Sequence, residues 1–271
     1  MGQTYQKSSF ERVARRWYIR WLRPHLSNRL HGQRIKLMWF VWGYAPILFI
    51  RNLSVLSRLS LILHFLRVDW KVLHAHRPCE IAHICRALAE RPAANGEIMI
   101  EAGCYQGGSS AKFSMVCEML GYRLHIYDSF EGVEPLSEEE KLHGHDFSGE
   151  YAVPEAVVRS NIGKYGRMEV CTLWKGWFSE TLAARPVSQP IRVAYIDCDT
   201  SKGTAEVLCG MVPALVPDGI IFSQDFQIEG VRRLLLEPST WADIGCGTPK
   251  VEWLCGNLAR ISFGKAVSTS A

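Results

Sequence analysis

Acidic side chains are almost absent from the first 77 residues of this 271-residue chain. Glu11 and Asp69 are the two present, against 14 Lys or Arg, whereas residues 78–271 hold 17 basic and 25 acidic side chains. The net charge of +4 is therefore the sum of +12 and −8. This asymmetry predicts two parts, a basic and aromatic-rich helical extension over residues 1–77 and a second domain over residues 78–271.

The chain also lacks an apolar run long enough to cross a bilayer. The runs at 37–50 and 53–66 each hold 14 residues, fewer than the roughly 20 that a spanning helix needs. A single span across both runs would bury Arg51 and Arg58, which is costly.

Residues 8–23 carry apolar side chains at helical spacing with arginines between them, so they are predicted to form a basic amphipathic helix. Such a helix is suited to an anionic membrane surface. It is equally suited to packing on the second domain or to a homo-oligomer interface. Nucleic acid is not an expected partner, because no recognisable binding motif accompanies the charge.

None of the nine cysteines belongs to a C-x-x-C pair, which argues against a zinc site or a disulfide framework. Most lie inside apolar segments such as "MEVCTLW" and "AEVLCGMV". We therefore predict buried free thiols in a reducing compartment. The predicted location is cytoplasmic, with peripheral attachment to the membrane if residues 8–23 bind lipid.

From residue 78 onward, apolar strand-like runs alternate with helical stretches. The predicted strands are 98–103, 123–129, 168–176, 192–199 and 219–226, and the predicted helices are 79–90, 109–120, 154–165 and 204–215. This alternation predicts an α/β fold with a doubly wound, mostly parallel sheet. "KVEWLCGN" and "LARISFG", residues 250–264, are predicted to form a C-terminal antiparallel hairpin.

The segment "IEAGCYQGGSS", residues 100–110, ends a predicted strand with Glu101 and opens a helix near Ser109. Its glycines allow close approach of a ligand, and the helix N-terminus offers unpaired N–H groups. The spacing is not the G-x-G-x-x-G of a dinucleotide site, which disfavours an NAD-linked oxidoreductase. An acid at the strand end suits the amino group of a methionine moiety.

Asp128 ends the second predicted strand, where doubly wound folds place a carboxylate on ribose hydroxyls. A glycine turn and a second-strand acid, without the pyrophosphate spacing, together favour S-adenosylmethionine as the cofactor.

Four polar residues follow the next two predicted strands, namely Asp197, Asp199, Gln224 and Asp225. In an open α/β sheet, both strand ends face the ligand crevice. Carboxylates that meet there repel one another unless a cation or a shared proton offsets the charge, and Mg²⁺ prefers such oxygen ligands. An alternative is that Asp199 caps the following helix. For Asp225 this alternative is weaker, because no helix is predicted after "DFQ".

Residues 131–154 form a long polar segment that includes His143 and His145. Its length is typical of a lid over a substrate, and its acidic stretch "SEEEK" is equally typical of a solvated loop.

The strings "EAGCYQGGSS", "YDSFEG", "KGWFSETL", "YIDCDTSKGT" and "VPDGIIFSQDF" occur in this order over residues 97–263. In sequence and interval they resemble the macrocin O-methyltransferase family. The resemblance implies a class I, Rossmann-like enzyme that methylates sugar hydroxyls of natural products with S-adenosylmethionine and Mg²⁺. A catechol-type acceptor is the second choice, because vicinal hydroxyls also chelate Mg²⁺.

The resemblance also assigns roles to residues. Asp199 would be the base and a metal ligand, and the roles of Asp197 and Asp199 could be exchanged. The metal ligands would be Asp197, Asp199, Asp225 and Gln224. The cofactor-binding residues would be Glu101, Gly103, Tyr105, Gly107, Ser109, Asp128, Ser129, Phe130, Gly176, Trp177 and Asp197.

Two departures from the family pattern favour an alternative function. Gln224 stands where the family has an aspartate, and "TSK" follows Asp199 where the family has an aromatic residue and an acid. The alternative is a catalytically impaired module that binds the cofactor and serves in interaction or membrane docking.

Overall fold

The structure is a computed structural model and describes residues 42–136 and 147–264. The predicted helix over 8–23 lies outside the described residues, as do His143 and His145 of the segment predicted to be a lid or a solvated loop. Within the described ranges, no helix is both long and apolar enough to cross a membrane.

Seven strands and seven α-helices make up the described architecture. The helices are Val55–Lys71 (α1), Pro78–Leu88 (α2), Gly108–Leu120 (α3), Glu155–Tyr165 (α4), Ser201–Met211 (α5), Glu229–Leu236 (α6) and Pro238–Asp243 (α7). The strands are Ile98–Ala102 (β1), Arg123–Asp128 (β2), Cys171–Lys175 (β3), Ile191–Ile196 (β4), Leu215–Ser223 (β5), Lys250–Cys255 (β6) and Leu258–Ser262 (β7).

The strands form one sheet in the order β3-β2-β1-β4-β5-β7-β6. Strands β1 to β5 run parallel, and β7 pairs antiparallel with both β5 and β6. The predicted doubly wound sheet with a C-terminal hairpin is confirmed. Because the chain order reverses between β1 and β4, the loops after these two strands diverge and leave a crevice at their carboxyl ends.

Several element boundaries differ from the predictions. Strand β4 ends at Ile196 and β5 ends at Ser223, so the acidic residues beyond them lie in loops. Strand β3 starts only at Cys171, because Met168–Val170 form a 3₁₀ turn. Helix α6 was not among the predicted helices.

The extension before residue 77 packs directly on the sheet domain. Helix α1 buries Leu61 and Phe65 in the same core as Phe113 of α3 and Tyr195 of β4. Tyr44 joins that core from the turn before α1. The division into two domains at residue 77 stays a prediction. The described part of the extension shares one hydrophobic core with the sheet domain.

Candidate active site

A pocket lies at the carboxyl ends of β1, β2 and β4, where the sheet order reverses. The predicted site residues that line it are Gly103, Tyr105, Ser109, Asp128, Ser129, Gly176, Trp177, Asp197, Asp199 and Gln224. Four others lie behind the lining, namely Glu101, Gly107, Phe130 and Asp225. The structure thus brings most of the predicted residues together around one crevice.

The glycine turn after β1 is required by close packing as well as by its backbone conformation. Gly103 has a φ of +84°, and a Cβ there would lie 1.9 Å from the carbonyl oxygen of Asp197. Gly107, at φ +78°, precedes the first residue of α3. The turn therefore fits the loop after β1 against the loop after β4 and aims the N-terminus of α3 at the pocket.

Glu101 is fully buried in β1 and does not reach the pocket surface. Neither carboxylate oxygen has a hydrogen-bond partner of ordinary geometry within the described chain. Burial raises the pKa of Glu101 to about 7, against the opposing effect of the nearby Ser109 and Ser110 hydroxyls. The predicted contact of this carboxylate with the amino group of a methionine moiety stays a prediction, since Glu101 lies behind the pocket lining.

Asp128 joins two loops at the end of β2. Its Oδ2 accepts a hydrogen bond from the backbone nitrogen of Cys104 at 2.8 Å, and its Oδ1 accepts one from Phe130 at 2.7 Å. A carboxylate has about four acceptor positions, so two remain for hydroxyl groups in the pocket. Asp128 can therefore hold a diol such as a ribose while it fixes the loops on both sides.

An aromatic and glycine segment follows β3 on the far side of Asp128. Gly176 has a φ of +141° and donates its N–H to the carbonyl of Asp128 at 3.1 Å. Trp177 and Phe178 then line the pocket. Their apolar faces suit a flat ring beyond the ribose position.

Three aspartates meet where β4 and β5 end. One carboxylate oxygen from each of Asp197, Asp199 and Asp225 lies within 4.8 Å of those of the other two. Asp225 Oδ2 accepts from the backbone nitrogens of Cys198 and Asp199, each at 2.9 Å. Asp197 Oδ2 accepts from the Tyr195 hydroxyl at 3.0 Å. Within the described ranges, no donor reaches the carboxylate of Asp199.

The alternative role of Asp199 as a helix cap is not what the structure shows. Thr200 is the cap of α5, and its hydroxyl accepts from the backbone nitrogen of Gly203 at 2.9 Å. Asp199 instead has a φ of +58°, a left-handed conformation that aspartate tolerates better than most residues. The loop places its side chain in the lining of the pocket.

Burial is the main cause of raised pKa values in this aspartate cluster. Burial and the charge of Asp199 raise the pKa of Asp225 to about 8. Burial and the charge of Glu150 raise the pKa of Asp199 to about 6. Burial, with Asp225 and Asp199 adding to it, raises the pKa of Asp197 well above its usual value. The cluster is thus short of positive charge.

Gln224 lies between two of these carboxylates. In the amide orientation that gives both the oxygen and the nitrogen suitable hydrogen-bond partners, the nitrogen is 3.1 Å from Asp225 Oδ1 and 3.1 Å from Asp197 Oδ1. The residue therefore donates two hydrogen bonds to the cluster. It was predicted to offer its carbonyl oxygen to a metal, which would require the amide to rotate.

Sequence reasoning missed one wall of the pocket, formed by residues 73–76 of the extension. The segment is held by Asp69, which accepts from Lys112 Nζ and lies 2.9 Å from His74 Nε2. Lys112 Nζ also lies 2.7 Å from His76 Nε2. A lysine inside the otherwise apolar stretch "AKFSMV" was the one available signal for this contact.

The profile of the family described as macrocin-O-methyltransferase (TylF) matches residues 82–255. A curated relative from Streptomyces olivaceus, 8-demethyl-8-(2,3-dimethoxy-α-L-rhamnosyl)-tetracenomycin-C 4′-O-methyltransferase, is 31% identical over 145 residues. That match covers 49% of this chain and 54% of the relative, so the chain spans about half the length of that relative.

Two solved structures share the fold. The O-methyltransferase NovP superposes with a TM-score of 0.63 and 18% identity over 76% of this chain and 99% of its own. The calicheamicin methyltransferase CalS11 superposes with a TM-score of 0.55 and 17% identity over 97% of this chain and 100% of its own. The family profile covers well over half of the chain, from α2 to the end of β6, and thus all of the strands but β7. The chain belongs to the macrocin-O-methyltransferase (TylF) family.

Proposed function

We propose that the protein transfers a methyl group from S-adenosylmethionine to a hydroxyl group of a sugar, most simply a deoxysugar on a natural product. The observation that carries the proposal is the Asp199 carboxylate, which lines the cofactor-type pocket and has no structural hydrogen bond within the described residues. The rhamnose-modifying activity in the name of the Streptomyces relative supports the choice of acceptor.

Different residues of the pocket bind different parts of the cofactor. Asp128 holds the ribose hydroxyls, and Trp177 and Phe178 flank the adenine. The turn at Gly103 and the N-terminus of α3 hold the methionine end, whose carboxylate suits unpaired helix N–H groups. Asp199 lines the same pocket, so the cofactor held there would supply its methyl group on the side of the pocket that this carboxylate borders.

Asp199 accepts the proton of the acceptor hydroxyl as that oxygen bonds to the methyl carbon and the bond from carbon to sulfur breaks. S-adenosylhomocysteine and the methyl ether are the products. A base with a pKa of about 6 is largely deprotonated at neutral pH, so Asp199 is ready to act.

Mg²⁺ is the proposed second cofactor. The donor set fits it, because three carboxylates converge within 4.8 Å and lack a cation within the described ranges. When bound, Mg²⁺ lowers the pKa of an acceptor hydroxyl. Asp197, Asp199 and Asp225 would hold it, and Gln224 would contribute only after its amide turns.

A second candidate function is a module that binds the cofactor without catalysis. The contacts of the Gln224 amide with Asp197 and Asp225 favour it, because they satisfy two carboxylates that a metal would otherwise occupy. Attachment to anionic membranes through residues 8–23, self-association and a cytoplasmic location are further proposals that rest on the sequence.

Calorimetric titration with S-adenosylhomocysteine, with and without Mg²⁺, tests the proposed function. We expect micromolar affinity that Asp128→Asn weakens by about tenfold or more. Methyl transfer is then assayed on rhamnosylated aromatic compounds, simple glycosides and catechols. Binding without transfer to any acceptor would favour the second candidate, and absence of binding would contradict both.

A further inference from the structure

A second cavity, of about 820 Å³, lies away from the cofactor pocket. It is open to solvent on one side and is lined by residues 48–52, by Arg58 of α1, by α2 and the two residues after it, and by side chains of β5, β7 and β6. None of its lining residues lines the cofactor pocket. The cavity is thus a separate feature of the molecule, and its size is that of a ligand site.

The lining of this cavity is strongly basic. Its charged residues are Arg51, Arg58, His83, Arg86, Arg260 and Glu90. The carboxylate of Glu90, the one acid among them, lies 2.9 Å from Nη2 of Arg192, a residue outside the cavity. The arginines of the lining therefore meet little compensating charge within it.

The hydrogen bonds of these arginines leave room for a ligand. Arg58 donates to the carbonyls of Leu53 and Leu48. Nε of Arg260 is buried with no partner in the described chain. Burial, and then the charges of Arg86 and Arg260, lower the pKa of His83. A buried donor without a partner costs free energy, which an anionic acceptor would recover.

Apolar groups form the rest of the wall. Phe49 and Leu48 contribute from the extension, and Phe222 and Leu254 contribute from the sheet. Among the described residues, a basic lining and an apolar wall therefore meet in one cavity, which suits an anion that also has an apolar or aromatic part.

We propose that this cavity binds a small molecule that carries a phosphate or diphosphate group next to an apolar or aromatic body. Guanidinium groups match phosphate oxygens in pairs of parallel hydrogen bonds. Arg86 and Arg260 would hold the phosphate, and Phe49 and Phe222 would contact the body. The proposal does not depend on the methyl-transfer reaction, since the two sites share no residue.

Titration calorimetry of the full chain with inorganic pyrophosphate tests this site. We expect binding that Arg86→Gln and Arg260→Gln each weaken by about tenfold or more. The control Arg185→Gln removes the same charge from an exposed position outside the cavity and should change the affinity by less than about twofold. Affinity for S-adenosylhomocysteine should stay unchanged in all three variants, which shows that they are folded.

Three results would overturn the proposal. The first is absence of pyrophosphate binding to the unmodified chain. The second is equal weakening by Arg86→Gln and by Arg185→Gln, which would indicate general surface charge. The third is binding to phosphatidylglycerol vesicles but not to pyrophosphate, which would assign the basic surface to a membrane.

Discussion

Two clusters of residues that could bind a metal lie beside the same pocket, and only one of them contains a lysine. In the extension, Asp69, His74 and His76 come close enough together to hold an ion. Lys112 reaches into that group and bonds to Asp69 and His76, so its ammonium already takes the place of a cation. The aspartate cluster of Asp197, Asp199 and Asp225 has no such lysine within the described ranges.

The difference is visible in the protonation of the two clusters. Burial works to raise the pKa of Asp69, but the bonds from His74 and Lys112 lower it overall. Burial and the charge of Asp199 raise the pKa of Asp225 to about 8, and among the described residues no cation lowers it. One cluster is thus neutralised by a lysine of the chain, whereas the other holds three carboxylates without such a lysine among the described residues.

The largest effect is expected from Asp199→Asn, which removes the free carboxylate of the uncompensated cluster. If Asp199 is the base, kcat should fall by about 10²- to 10⁴-fold. Affinity for S-adenosylhomocysteine should change by less than about twofold, because the cofactor contacts stay intact. Asp243→Asn, at an exposed position on α7, is the matched control. Unchanged kcat in Asp199→Asn would rule out this role.

Lys112→Met removes the cation from the cluster of Asp69, His74 and His76. The lysine is fully buried, so its loss leaves Asp69 charged and poorly paired, and we expect the free energy of unfolding to drop by about 3–5 kcal/mol. Urea unfolding measures the drop. The double variant Lys112→Met with Asp69→Asn should recover part of it, because no uncompensated charge is left. A double variant as unstable as the sum of the single ones would argue against charge pairing.

Glu101 is a buried acid whose carboxylate has no lysine near it and no hydrogen-bond partner of ordinary geometry among the described residues. Its pKa is about 7 in the folded chain, against 4.5 for an ordinary glutamate. The folded state therefore holds its proton more tightly, and wild-type stability should fall as the pH rises from 4.5 to 7. Glu101→Gln removes this loss, so its stability relative to wild type should increase by roughly 3 kcal/mol across that range.

Urea unfolding at several pH values checks the Glu101 prediction. Glu237→Gln, at an exposed position after α6, serves as the control and should run parallel to wild type. A difference between Glu101→Gln and wild type that does not vary with pH would show that Glu101 is ionised in both states.

The smallest effect is expected from Gln224→Asp, which adds a fourth carboxylate to the cluster of Asp197, Asp199 and Asp225. Replacing the amide removes two hydrogen-bond donors and adds a metal ligand, so Mg²⁺ affinity should rise by about tenfold. Titration with Mg²⁺ in the absence of acceptor measures it. Gln227→Asp, the same change at an exposed neighbour, should leave the affinity unchanged. Equal affinity in both variants would show that Gln224 does not limit metal binding.

Much of the pocket could be predicted because its residues follow local patterns. Apolar runs that end in Asp128 or Asp197 indicate buried strands whose ends meet at one edge of a parallel sheet. The turn at Gly103 is likewise visible in the sequence. The reason for the glycine is not visible there, because the close approach to the carbonyl of Asp197 joins the loops that follow two different strands.

Other features could not be predicted, since they depend on contacts that no local pattern records. Lys112 pairs with Asp69, 43 positions earlier, and the wall of residues 73–76 follows from that pairing. Thr200 rather than Asp199 caps α5 because the helix begins at Ser201, and a start one residue earlier would have made Asp199 the cap.

The sequence by itself determined the strands, helices α2 to α5, the doubly wound fold and the set of acids around the crevice, since burial periodicity and strand-end chemistry are local properties. Only the tertiary structure decided which of these carboxylates have a cation or a hydrogen-bond donor beside them. That depends on whether a lysine, an amide or a backbone N–H from a distant segment is packed within a few ångströms of each carboxylate.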